Sequence, residues 1–146
     1  MLDEEGFDLW ADSYDESVRL SEEKKEYPFA GYRDVLGVVY RRVRRQGGAR
    51  ILDIGFGTGT LSSRLYADGC QITGLDFSEK MIRNARKKMP KAELILWDFS
   101  QGLPEGLKNR KFDDIISTYA LHHMADAKKA ALLRMLWGLL EPGGQI

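Results

Sequence analysis

Residues 49–65, ARILDIGFGTGTLSSRL, place Asp53 two positions before the first of three glycines, Gly55, Gly57 and Gly59. Leu61 and Leu65 follow at helical spacing. Glycines let a backbone approach a ligand closely because they carry no Cβ. A helix that starts beyond them favours an anion at its N-terminus, a carboxylate as readily as a phosphate. A nucleoside triphosphate loop needs a lysine and a hydroxyl after its glycines, and no lysine follows here. The spacing is G-x-G-x-G rather than the G-x-G-x-x-G of a dinucleotide site. A carboxylate at Asp53 does not help a pyrophosphate; it suits a ligand carrying an ammonium group, met directly or through water.

Two further acids repeat the pattern downstream. Asp76 lies 17 residues after Gly59, at the end of the next apolar run, and is followed by Phe77. A carboxylate there can accept from both hydroxyls of a ribose; it can also cap the helix that begins near Ser78, although Ser78 is the better cap. Asp98 precedes Phe99 one run further on. An acid there can accept from an exocyclic amine such as that of adenine. Phe77 and Phe99 could clamp a purine face to face, or could simply be core aromatics. Three acids at three successive strand ends, with glycines only after the first, describe an adenosine joined to an amino acid. After a fourth run stand Tyr119, His122 and His123. His122 and Tyr119 are the candidates for catalysis. A base is needed only where the nucleophile must lose a proton. No metal is expected, because adjacent histidines on a loop point apart and the chain has no further histidine to complete a site.

The elements that would position these residues alternate. Residues 6–46 read as helical with a break near Pro28, and Val35, Leu36, Val39 and Val43 form an apolar stripe. RILDI (50–54) reads as a buried strand, 59–68 as a helix ended by Gly69, and QITGLD (71–76) as a second strand. Ser78 caps a helix whose stripe is Met81, Ile82, Ala85 and Met89, stopped by Pro90. ELILW (93–97) is a third strand, 101–111 a loop, and FDDIIST (112–118) a fourth strand. Asp126 is expected to cap a helix over about 127–140, with Leu132, Met135, Leu136 and Leu139 inward. EPGG (141–144) would end that helix, with a fifth strand just beginning. Strands alternating with helices argue for an α/β fold, a doubly wound, mostly parallel sheet with helices on both faces. Residues 1–46 form an N-terminal helical cap segment and 47–146 the core, within one domain.

Composition bounds the remaining classes. The 146 residues suit one domain, and 43% hydrophobic with 30% charged residues suits a packed core. Lysine plus arginine equals aspartate plus glutamate at 22 each, so net charge argues for neither nucleic acid nor membrane. The basic stretch 40–50 reads as the solvated end of a helix closing at Gly47, or as a patch for RNA or another polyanion. Cys70 is the single cysteine, so no intramolecular disulfide forms and a reducing, cytoplasmic setting fits. No signal peptide or apolar membrane span is expected.

Together these motifs resemble the class I S-adenosylmethionine-dependent methyltransferases of Rossmann-like fold. ILDIGFGTGTLS, GLDFSEKMI, WDFS, FDDIISTYALHHM and LLEPGGQI are similar to five family motifs in order, over residues 50–146. The resemblance implies S-adenosyl-L-methionine as cofactor, with Asp53, Gly55, Gly57 and Gly59 on its methionine part. It implies Asp76 on the ribose, Asp98 and Phe99 on adenine with Phe77 nearby, and Tyr119 to His122 near the transferred methyl. FDLWADSYDESV is similar to segments that fold over the cofactor, which makes Tyr14, and more weakly Tyr32, a lid contact. The implied reaction is methyl transfer to a small molecule or a tRNA nucleotide. The Asn-Pro-Pro-aromatic motif of members that methylate amino groups of DNA and some proteins is replaced after strand four by STYALHH, which disfavours adenine and glutamine amides as acceptors.

The family fold has seven strands and this sequence reaches only the fifth, so a longer natural protein is expected. Strand four would otherwise be an exposed edge, which a homodimer could cover. By itself the chain is expected to methylate poorly. Two other classes stay open. A non-catalytic module that binds S-adenosylmethionine would keep the same acids. A nicotinamide-dependent oxidoreductase is opposed by the glycine spacing and by Asp98.

Overall fold

The computed structural model describes residues 31–43 and 48–146. The expected helix before Pro28 and the lid candidate Tyr14 lie outside the described residues, as does the side chain of Tyr32. Helix α1 (Tyr32–Arg42) begins after Gly31 and carries Arg41 and Arg42 in its last turn, where the helix dipole favours cations. It ends earlier than the basic run suggested: Val43 is already extended. Its stripe is also narrower than expected. Leu36 and Val43 are buried, whereas Val35 is 43% exposed.

Five strands follow: β1 (Arg50–Ile54), β2 (Gln71–Asp76), β3 (Glu93–Leu96), β4 (Phe112–Ile116) and β5 (Leu140–Gln145). Three helices connect them: α2 (Thr60–Ala67), α3 (Glu79–Lys88) and α4 (Asp126–Trp137). The sheet order is β3-β2-β1-β4-β5, and every pairing is parallel. The chain runs outward from β1 through β2 to β3, then crosses to the other side of β1 to form β4. That reversal opens a crevice at the carboxy ends of β1 and β4, where open α/β sheets bind ligands.

Alternation along β1 splits the core in two. Ile51 faces the layer of α1, α2 and α3 with Leu36, Leu65, Ile82 and Met89, while Leu52 and Ile54 face Leu132, Leu136 and Phe112. Because both sheet faces are covered, β1 reads as a continuous apolar run interrupted only by Asp53.

Several boundaries differ from the sequence reading. Helix α4 stops at Trp137, and Leu140–Gln145, including EPGG, forms a strand rather than a helix end. Its pairing with β4 shifts register between Phe112 and Asp114. Phe112 pairs with Leu140 and Asp114 with Gln145, so β5 carries extra residues over this span, which is how a strand tolerates Pro142 and a glycine pair. Strand β5 therefore covers β4, and the outer strands are β3 and β5. Ala125, not Asp126, takes the cap position of α4; its side chain has no acceptor, and Asp126 stands in the first turn. Met135 is exposed and lies against the Gly102 turn instead of the core. The expected loop 101–111 contains a 3-10 turn at Glu105–Leu107 and follows another at Phe99–Gln101. Strand β4 ends at Ile116, two residues short of the expected end. Among the described residues no helix is long and apolar enough to cross a membrane.

Candidate functional site

Asp53 is the penultimate residue of β1 and only 4% exposed. Its side chain points to the α2 side of the sheet, where Ser62 Oγ donates a hydrogen bond of 2.5 Å to its Oδ2. Burial pushes the Asp53 carboxyl up from 3.8 to about 7. The Ser62 hydroxyl opposes that rise, and the charge of Asp76 adds to it. Two buried carboxylates at the ends of neighbouring parallel strands are costly unless something cationic compensates them.

The loop between β1 and α2 is shaped by its glycines. Gly55 has φ +70, and a Cβ there would lie 2.4 Å from Ala120 Cβ and 3.3 Å from Phe99 Cζ. The turn after β1 thus rests against the turn after β4, leaving no room for a side chain. Gly57 differs: a Cβ there would meet nothing within 4 Å. Its N–H donates to Asp76 Oδ2 at 2.9 Å. Gly59, at φ +80, is the N-cap of α2. Between them Phe56 turns inward over Gly74 of β2, whose missing Cβ makes the space for its ring.

Asp76 ends β2 and is buried. Besides the Gly57 N–H it accepts the Ser78 N–H at Oδ1, 3.0 Å away. Ser78 is the helix cap, its Oγ accepting from Met81 N at 3.2 Å. The capping alternative for Asp76 thus resolves into a division of labour: Ser78 caps α3, and Asp76 holds the glycine loop against β2. Asp98 is exposed and caps the Phe99–Gln101 turn, accepting from Ser100 N at Oδ1, 3.0 Å away.

Phe77 and Phe99 do not form a parallel clamp. Their ring centroids are 6.4 Å apart at an interplanar angle of 66°, an edge-to-face contact with no slot for a purine between them. Phe99 is buried beneath Gly55, while Phe77 is only partly buried. Tyr119, 38% exposed, has φ +57 and is the one non-glycine residue with positive φ among those described. A bulky residue in that region is strained by about 1–3 kcal/mol. Just before it, Ser117 Oγ donates to Ile54 O at 2.9 Å, tying this turn to β1. His122 is exposed on the 3-10 turn Leu121–His123. Met124 is the residue after that turn that packs inward. Among the described residues no cluster of His, Cys, Asp and Glu could hold a metal ion.

The structure therefore brings Asp53, Gly55, Gly57, Gly59 and Asp76 into one cradle, and sets Asp98, Phe99 and Tyr119 at the ends of the flanking strands. The sequence reading missed Ser62. Its signal was a hydroxyl on the inner face of α2, beside Leu61 and Leu65, with nothing local to say what it would meet.

Residues 51–144 match the family model of a methyltransferase domain. An uncharacterized methyltransferase of Geobacillus sp. (strain WCH70) is 38% identical over 141 residues, covering 96% of this chain and 63% of its own length. An S-adenosylmethionine-dependent methyltransferase from Mesorhizobium loti is 33% identical, with a TM-score of 0.63 over 73% of this chain and 49% of that one. A chain from the complex between the Haloferax volcanii Trm112 methyltransferase activator and a putative methyltransferase is 25% identical. It has a TM-score of 0.73 over 99% of this chain and 59% of that one. The chain thus spans a little under two thirds of the length of these curated relatives.

Proposed function

The chain belongs to the methyltransferase domain family, and from that premise we propose that it binds S-adenosylmethionine at the carboxy ends of β1, β2 and β3 and serves methyl transfer to a small molecule or a tRNA nucleotide. The observation that carries this reading is the pair of buried carboxylates flanking a glycine loop with open space at Gly57. That donor set fits the group. An ammonium at Asp53 offsets the cost of burying its charge. Asp76 brings the acceptor capacity that paired ribose hydroxyls require. A triphosphate or pyrophosphate would meet both acids with like charge.

When bound, S-adenosylmethionine supplies a methyl group on a positively charged sulfur. The chain's part is placement and exclusion of water. Asp53 would anchor the amino-acid end, and the Gly55–Gly59 loop would admit the backbone's close approach. Asp98 would accept from the adenine amine, with Phe77 and Phe99 nearby. Tyr119, at positive φ one residue before the Ala120 that meets Gly55, would lie toward the sulfur end. His122, exposed on the 3-10 turn that follows, would shape the acceptor side of the pocket and would serve as a base only for an acceptor that must lose a proton.

A calorimetric titration with S-adenosylhomocysteine, run beside reduced nicotinamide dinucleotide, tests the reading. Micromolar binding of the first alone, lost in Asp76→Ala, is the expected result. Binding of the dinucleotide instead would overturn it.

A further inference from the structure

The glycine loop is held from two directions. Asp76 grips its middle through the Gly57 N–H. Asp53 and Ser62, nine residues apart, close its two ends through a single side-chain bond at 2.5 Å. Ser62 is fully buried on the inner face of α2, and Asp53 is nearly so. The hydroxyl occupies one oxygen, Oδ2, and Oδ1 makes no hydrogen bond to a described residue. A carboxyl on a strand end would otherwise rotate about its terminal torsion, which is broad and roughly two-fold. Ser62 selects one orientation and leaves one oxygen for a ligand.

We propose that Ser62 is a positioning residue: it orients Asp53 across the loop so that the second carboxylate oxygen receives a ligand ammonium. This rests on the S-adenosylmethionine reading for the identity of the ligand, but the positioning role is read independently of it.

The bond has a chemical consequence beyond geometry. A hydroxyl that donates to a carboxylate favours the ionised form, and Asp53 is a group for which that matters, since burial favours the neutral acid. The residues paired with Asp53 across the sheet are Gly74 on β2 and Ile116 on β4, neither of which ionises. On α2 the contacting residue is Ser62. Asp76, at the end of β2, is the charged group whose field reaches Asp53, and it opposes ionisation. Ser62 is thus the group that works in favour of the charged form, and a cation bound at Asp53 would displace a proton.

The test separates positioning from structure. The carboxyl carbon of Asp53 is titrated by carbon-detected nuclear magnetic resonance in the wild type, Ser62→Ala and Ser62→Thr, with Asp53→Asn assigning the signal. In Ser62→Ala the midpoint is expected to rise by about one pH unit, the size of a lost hydrogen bond to a charged group. Ser62→Thr keeps the hydroxyl and restores the midpoint. S-adenosylhomocysteine affinity, measured at pH 6 and pH 8.5, is expected to fall about tenfold in Ser62→Ala at the lower pH and to recover at the higher. An unchanged midpoint in Ser62→Ala overturns the proposal, and so does an affinity loss equal at both pH values. A wild type that shows the midpoint shift between variants but binds no S-adenosylhomocysteine sinks the cofactor reading and leaves Ser62 in its role.

Discussion

Replacing Asp53 with asparagine isolates the cost of burying its charge. The folded carboxyl sits at about 7 against an ordinary 3.8, chiefly because burial strips it of water. A group whose folded value lies above its unfolded value gives stability that is fully present below the unfolded value and lost as pH rises through the folded one. The wild type therefore loses stability between about pH 4 and pH 7, at about 1.4 kcal/mol per pH unit for this one group, to a total of about 4 kcal/mol. Asparagine is nearly isosteric, has no charge to bury and can still accept from Ser62 at its amide oxygen. Asp53→Asn should then gain on the wild type as pH rises: by about 3 kcal/mol more at pH 8 than at pH 5. Urea denaturation of both proteins at pH 5, 6, 7 and 8 reads this directly, with equal slopes in denaturant as the control. A difference that stays constant across the four pH values would refute the reasoning, because burial would then not be acting on the ionised form. The same substitution should weaken S-adenosylhomocysteine binding, so stability and affinity are expected to move in opposite directions.

Other substitutions probe single features of the cradle. Gly55→Ala sets a Cβ 2.4 Å from Ala120 at φ +70; overpacking and backbone strain together should cost about 3 kcal/mol in urea unfolding, and a loss under 1 kcal/mol would mean the two turns do not touch. Ser78→Ala removes the acceptor for Met81 N and should cost about 1 kcal/mol, seen as a thermal midpoint several degrees lower. Tyr119→Gly relieves the positive φ of 57 and should raise stability by about 1 kcal/mol while reducing S-adenosylhomocysteine affinity; an unstrained turn would instead show stability falling. Asp76→Asn keeps one acceptor for the Gly57 N–H, gives up the acceptor for the Ser78 N–H and removes a neighbouring charge, so the Asp53 midpoint should drop, observable in the same carboxyl titration.

Local chemistry made much of this protein legible from its sequence. The strand–helix alternation, the β1 and β2 boundaries, the Ser78 cap and the glycines after β1 follow from periodicity and from which residues tolerate a given backbone, and these act over a few positions. The acids at three strand ends were legible for the same reason, since parallel α/β sheets expose their carboxy ends to ligands. Only the tertiary structure decided what depends on residues far apart in the chain. The helical reading of 127–140 failed beyond Trp137, where Gly138 closes the helix and Leu140 pairs with Phe112 to carry EPGG into the sheet, and strand pairing overrides local turn chemistry. Met135 left the core because the Gly102 turn meets that side of α4. Phe77 and Phe99 turned edge to face because one ring is fixed beneath Gly55. The partnership of Ser62 with Asp53 and the upward push on that carboxyl are properties of the folded interior. Desolvation is set by everything packed around a group, and no window of sequence contains it.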